Sequence, residues 1–108
     1  MSDEPAVRNV LSEFQSAYER LDVAAAKDLW PSVDERALAK AFGDLESQTI
    51  GLNNCRVQLA AATALAYCSG RATYVGCLGN KLQSRLLNWS FSLEKAPRGW
   101  QIRSVETR

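Results

Sequence analysis

Apolar residues in the first part of the chain recur at helical spacing. Val7, Val10, Leu11, Phe14, Ala17, Tyr18 and Leu21 fall three and four residues apart, which predicts a helix over about residues 4–21. Asp3 and Glu4 suit the positive end of its dipole, and Pro5 suits its first turn. Asp22 is the expected N-cap of a second helix, Val23 to Trp30, with Val23, Ala26, Leu29 and Trp30 on its apolar face. Pro31 cannot extend that helix. Ser32-Val33-Asp34-Glu35 reads as a capping box for a third helix, Ser32 to Phe42, with Val33, Ala37, Leu38, Ala41 and Phe42 apolar and Gly43 as its stop.

From Leu45 the period changes to two. Ile50 and Leu52 share one parity, and Cys55, Val57 and Leu59 share the other. The switch at Asn53-Asn54 predicts a bulge in one long strand. A turn near Ala61-Ala62 leads to a second strand, about Ala64 to Val75. Centring the hairpin there sets Cys55 opposite Cys68, Val57 opposite Ala66 and Leu59 opposite Ala64. A loop with Gly76, Gly79 and Asn80 follows. The next strand alternates most clearly: Leu87, Trp89, Phe91 and Leu93 against Asn88, Ser90, Ser92 and Glu94. Ala96-Pro97-Arg98-Gly99 is a turn, and Trp100, Ile102 and Val105 belong to a last strand.

Helices first and strands after, within 108 residues, predict one α+β domain over residues 1–108. Three N-terminal helices should pack on one curved antiparallel sheet. Leu87, Trp89, Phe91 and Leu93 should face them, with Phe14, Leu29 and Phe42 opposite.

Charge adds mainly exclusions. The net charge is +1 and no basic stripe is present, so neither nucleic acid nor an anionic membrane is an expected partner. No apolar run is long enough to span a bilayer. Met1-Ser2-Asp3-Glu4-Pro5 is polar, unlike a signal peptide; as the chain stands, a cytoplasmic location is the expectation. The sequence has no histidine, which removes Ser-His-Asp and Cys-His sites and imidazole zinc sites. Its three cysteines lack a CxxC pair, and no phosphate-binding glycine loop occurs. No metal and no cofactor is expected.

Several segments together resemble a nuclear-transport-factor-2-like (NTF2-like, SnoaL-like) domain. They are Phe14-Gln15-Ser16-Ala17-Tyr18, the stretch from Leu21 to Pro31, Cys55-Arg56-Val57, Phe91-Ser92-Leu93-Glu94-Lys95 and Gly99-Trp100-Gln101-Ile102. The nearest subgroup consists of small bacterial domains often appended to larger proteins, including kinases. The resemblance implies a cystatin-like cone, a sheet wrapped around helices with a pocket between them, and frequent dimerisation through the outer sheet face. It does not carry over a catalyst. Ketosteroid isomerases of that superfamily place a tyrosine in the first helix, where this chain has Phe14. The segment that would carry their catalytic aspartate is here the helix from Ser32 to Phe42. The aspartate–histidine pairs of related dehydratases need a histidine.

The candidate pocket residues are Phe14, Tyr18, Trp30, Tyr74 and Trp89, suited to a small apolar ligand, with core packing as the plainer account of the tryptophans. Tyr18 is the candidate hydrogen-bond donor. Asp28, Asp44 and Glu46 are the carboxylates nearest the expected mouth, and Arg71 and Arg85 the candidate pair for a carboxylate ligand. Small residues at Cys68, Gly70 and Ala72, beside Tyr74, would leave a cavity or accept large helix side chains. Leu65, Tyr67, Val75 and Leu86 have the parity of the outer face and form the expected homodimer contact. Cys55 and Cys68 are a disulfide or thiol pair, roughly 4.5 Å apart at Cα if non-hydrogen-bonded. The odd Cys77 favours reduced thiols. The function expected is a non-catalytic dimerisation or ligand-binding module, of the kind that regulates a larger protein. The alternative is a small isomerase- or cyclase-type pocket enzyme using Tyr18 and a carboxylate.

Overall fold

The computed structural model describes residues 2–79 and 81–108; Met1 and the expected loop position Asn80 lie outside them. Three helices, α1 (Glu4–Glu19), α2 (Val23–Leu29) and α3 (Glu35–Gly43), precede four strands, β1 (Leu45–Ala60), β2 (Thr63–Gly76), β3 (Leu82–Ala96) and β4 (Gly99–Thr107). The strands form one antiparallel sheet in the order β1-β2-β3-β4. The predicted α+β order is therefore the observed one.

α1 buries Val7, Val10, Leu11, Phe14 and Ala17, the predicted face. It stops before Leu21. That residue takes a left-handed conformation, φ 54°, and its N–H bonds Tyr18 O at 3.1 Å while Asp22 N–H bonds Ala17 O at 2.9 Å. This pair of bonds satisfies carbonyls that the helix end would leave open. A leucine there hides the stop, because glycine is the usual signal. Asp22 then caps α2, its carboxylate accepting from Ala25 N–H at 3.0 Å.

The predicted capping box is not formed. Asp34 caps α3 by accepting from Ala37 N–H at 3.0 Å, and Ser32 Oγ instead donates to Arg103 O at 3.2 Å. The short side chain nearest the first turn wins the cap, and Ser32 is held by β4. Ala37 and Ala41 are exposed, so the buried face of α3 is narrower than predicted: Leu38 and Phe42. Gly43 is the last helical residue and Asp44 the C-cap. The chain enters the sheet at once, with Leu45 opposite Gly76.

The β1–β2 hairpin has the predicted register. Val57 faces Ala66 and Leu59 faces Ala64, with Ala61 left-handed in the turn at φ 52°. The ladder shifts between Asn53↔Ser69 and Arg56↔Tyr67, so Asn54 and Cys55 together stand opposite Cys68. Asn54, at φ 49°, carries the bulge. Parity reverses across it as predicted, from Ile50 and Leu52 to Cys55 and Val57.

Gly70 lies just beyond the bulge. A Cβ there would overlap the backbone carbonyl of Gly51 on β1. Backbone cannot swing aside as a side chain does, so Gly70→Ala should destabilise by about 2 kcal/mol or more. Urea denaturation checks this; a shift of a few tenths would show that β1 yields freely.

Two clusters result. The larger packs α1 on the sheet: Val10, Leu11 and Phe14 against Trp89, Phe91, Leu93 and Ile102. The smaller lies among the helices: Ala17, Ala26, Val33, Leu38 and Phe42. Phe14 and Leu29 meet the sheet cluster as expected, but Phe42 joins the helix cluster. Helix α3 touches the sheet chiefly at β1, its neighbour in sequence. Ala64, Ala66, Cys68 and Ala72 are all buried on β2. The small-residue stripe accepts large helix and strand side chains.

Candidate functional site

The interior between α1 and the sheet is where four of the five predicted pocket residues meet. Phe14 and Tyr18 lie one helical turn apart, with ring centroids at 4.2 Å. Phe14 stands edge-on to Phe91 at 5.1 Å, and Tyr18 edge-on to Phe42 at 5.0 Å. These are favourable aromatic geometries. Tyr18 therefore bridges the two clusters. Trp30 caps the C-terminus of α2 and packs against both. Trp89 is 4% exposed and pairs across the ladder with Cys68. Tyr74 stands apart, half-buried on β2 opposite Gln48 and Gln83.

Burial pushes the Tyr18 phenol up to about 12. Loss of its proton would strand a phenolate among aromatic rings. The unfolded chain ionises first as pH rises past about 10, so it holds fewer protons than the folded state up to about 12. Stability contributed by the neutral phenol is intact below that window and lost through it. Tyr18→Phe should flatten the fall of Tm across this window, relative to the native chain; an unchanged slope would place the titration elsewhere.

The predicted carboxylates do not enter the interior. Asp28, Asp44 and Glu46 are all exposed. Among the described residues no polar or charged residue is buried, and no cluster of acidic, cysteine or histidine side chains could hold a metal ion. Arg71 and Arg85 cannot grip one ligand together. Arg71 pairs with Leu86 and Ala72 with Arg85, so period two puts the arginines on opposite faces. Arg71 donates instead to Ser84 Oγ at 2.7 Å.

The outer-face residues are where their parity put them. Leu65, Tyr67 and Leu86 are 41%, 37% and 74% exposed, and Val75 is half-buried. Cys55 and Cys68 are joined by a disulfide, with Cα atoms 4.1 Å apart, which corrects the expectation of reduced thiols; Cys77 is free and exposed. The bulge turns Cys55 toward the face that Cys68 already occupies.

Surface clefts lie elsewhere. One of about 390 Å³ opens between α1 and the bulge, lined by Arg8, Gln15, Asn53 and Cys55 among others. Another of about 540 Å³ opens between the end of α2 and the β3–β4 turn, with Lys27, Asp28, Arg98 and Gln101 in its wall. Trp100 lines this second cleft, and its indole N–H is buried with no partner among the described residues. Strand alternation foresaw the burial of Trp100. It held no sign of the unpaired N–H, which depends on what the turn and α2 bring near. No helix among the described residues is long and apolar enough to cross a membrane.

Neither a protein-family model nor a curated protein matches the sequence. Solved structures do match in shape. A proposed dehydratase of the NTF2-like family from Streptomyces avermitilis superposes with a TM-score of 0.88 at 19% identity, over 97% of this chain and 94% of that one. An NTF2-like protein with a cystatin-like fold from Novosphingobium aromaticivorans gives 0.76 at 17% identity, over 97% and 80%. The hexachlorocyclohexane dehydrochlorinase LinA-type3 from Novosphingobium barchaimii gives 0.81 at 9% identity, over 98% and 85%. At such identities it is the fold that is shared. Three helices on a four-stranded antiparallel sheet, matched over nearly the whole chain to these structures, give this protein the NTF2-like fold.

Proposed function

We propose that this chain is a non-catalytic module that self-associates through the outer face of its sheet, a cone whose interior serves packing rather than chemistry. One observation carries the reading. The interior is filled by Phe14, Tyr18, Trp89 and Phe91, and Tyr18, its one ionisable side chain among the described residues, is held neutral. General acid–base work needs a group poised near the working pH and within reach of a substrate. A phenol at about 12, without a carboxylate beside it, is a poor base and a poor acid near neutrality.

Association is supported by the outer face. Leu65 and Tyr67 lie on β2 and Leu86 on the adjacent β3, all substantially exposed. Covering them with a second copy removes apolar surface from water, and a two-fold contact uses one patch twice. Light scattering of the native chain should report a dimer or larger. The double substitution Leu65→Lys, Tyr67→Lys should lower the mass. A native chain that stays monomeric at high concentration would end this part of the reading.

The second reading is a small pocket enzyme using Tyr18. What favours it is the naming of structural neighbours as a dehydrochlorinase and a proposed dehydratase. Hexachlorocyclohexane is therefore the probe. The expected result is no chloride release above background. Release that disappears in Tyr18→Phe would replace the non-catalytic reading with this one.

A further inference from the structure

Antiparallel pairing lines up the outer-face residues in rows that cross the sheet. One row runs Arg56 on β1, Tyr67 on β2, Ser90 on β3 and Glu106 on β4, each residue directly opposite the next. The adjacent row, nearer the β1–β2 turn, runs Gln58, Leu65, Ser92 and Ser104 in the same way. The two rows are lopsided in size. β2 carries the large side chains, Leu65 and Tyr67, where β3 carries serines. The first row is also lopsided in charge, with a cation on β1 and an anion on β4. Arg56 is exposed and belongs to no ion pair among the described residues. Glu106 approaches Arg108 at 3.8 Å, and both side chains are mostly exposed, so that pair is loosely held.

Resting on the outer-face association above, we propose how the two copies meet: about a two-fold axis that runs along the strands between β2 and β3, with Arg56 of each copy against Glu106 of the other. Such an axis turns the second sheet over and exchanges left for right, but keeps position along the strands. β1 of one copy then lies over β4 of the other, and β2 over β3. Tyr67 sits on Ser90 and Leu65 on Ser92, twice each. Large residues fill the space above small ones, as facing layers do in a packed core. Facing sheets stand about 10 Å apart, a gap that one large and one small side chain fill between them. Their usual crossing of about 30° shifts the flanking strands by about one residue, within reach of an arginine and a glutamate. The two ion pairs flank the apolar centre at Leu65 and Tyr67. At the rim they keep part of their hydration, which spares the desolvation cost of a buried pair.

The competing two-fold runs across the strands and sets each strand over itself. Leu65 and Tyr67 would then meet their own counterparts, large against large. The serines of β3 would face serines across a gap. Centred on these rows, Arg56 would find Arg56 or Gln58 of the second copy, and Glu106 would find Glu106 or Ser104. Neither the size match nor the charge match survives in that arrangement. The axis along the strands satisfies both, and the two matches come from different residues.

Charge reversal tests the pairing, read as the dimer dissociation constant by sedimentation over a dilution series at one low salt concentration. Arg56→Glu and Glu106→Arg should each weaken association about tenfold, because each sets like charges against one another at both ends of the contact. The two reversals in one chain should restore most of the loss, since opposite charges meet again. Arg36→Glu alters net charge as Arg56→Glu does, but it lies exposed on α3 and should leave association unchanged. Single reversals without effect, or a doubly reversed chain as weak as the single variants, would overturn this arrangement. The outer-face reading would survive that result if Leu65→Lys, Tyr67→Lys still lowered the mass. A native chain that stays monomeric would end both.

Discussion

Trp89→Ala should destabilise the fold by about 3–5 kcal/mol, the usual cost of truncating a large buried aromatic side chain. Trp89 is 4% exposed, in the middle of β3, and pairs with Cys68 on one side and Thr107 on the other. Its ring belongs to the cluster that holds α1 to the sheet. The same-face residues of β2 around it are small, Cys68 directly opposite with Ala66 and Gly70 on either side, so nothing large on β2 stands ready to fill the space. Truncation therefore removes apolar burial and leaves a cavity. Urea denaturation should show a lower midpoint with an unchanged slope. A loss below about 1 kcal/mol would mean that the sheet rearranges, and that α1 is not anchored through this ring.

Breaking the Cys55–Cys68 bond should cost about 2–4 kcal/mol. The cysteines are 13 residues apart and close the β1–β2 hairpin at the bulge. The bond limits the unfolded chain, and it pins one of the two places where the β1–β2 ladder is out of step. The lower end of the range is expected, because the hairpin on the turn side of the bulge is already paired. Chemical denaturation with and without reductant, alongside Cys55→Ala, Cys68→Ala, measures this. Thiol counting on denatured, unreduced protein provides the direct check. One reactive thiol, from Cys77, is expected. A count of three would mean that the sulfurs touch without bonding in that sample.

These two results bear on function through the same interior. A packed core beneath Trp89, a neutral Tyr18 and exposed carboxylates are the observations on which the proposed non-catalytic reading rests.

Much of this was readable one element at a time. The faces of α1 and β3, the Asp22 cap, the parity switch at Asn53-Asn54 and the pairs Val57–Ala66 and Leu59–Ala64 all rest on spacing within a few residues or on one hairpin. Side-chain period and turn position are local properties, and local sequence specifies them. The misreadings came where a second segment had the deciding influence. Ser32 was drawn to a carbonyl of β4, which left the cap to Asp34. Phe42 had Tyr18 within reach and not the sheet.

By itself, the sequence determined the element order, the antiparallel register of the first hairpin and the lack of histidine chemistry, because each depends on residue identity and short-range period. Only the tertiary structure decided that the two arginines lie on opposite faces, that the aromatic rings fill the interior and that the indole of Trp100 has no partner among the described residues. Each of those depends on how one strand is registered against its neighbour, or on which helix arrives beside it. Such contacts join residues distant in the chain, and no pattern within a single segment encodes them.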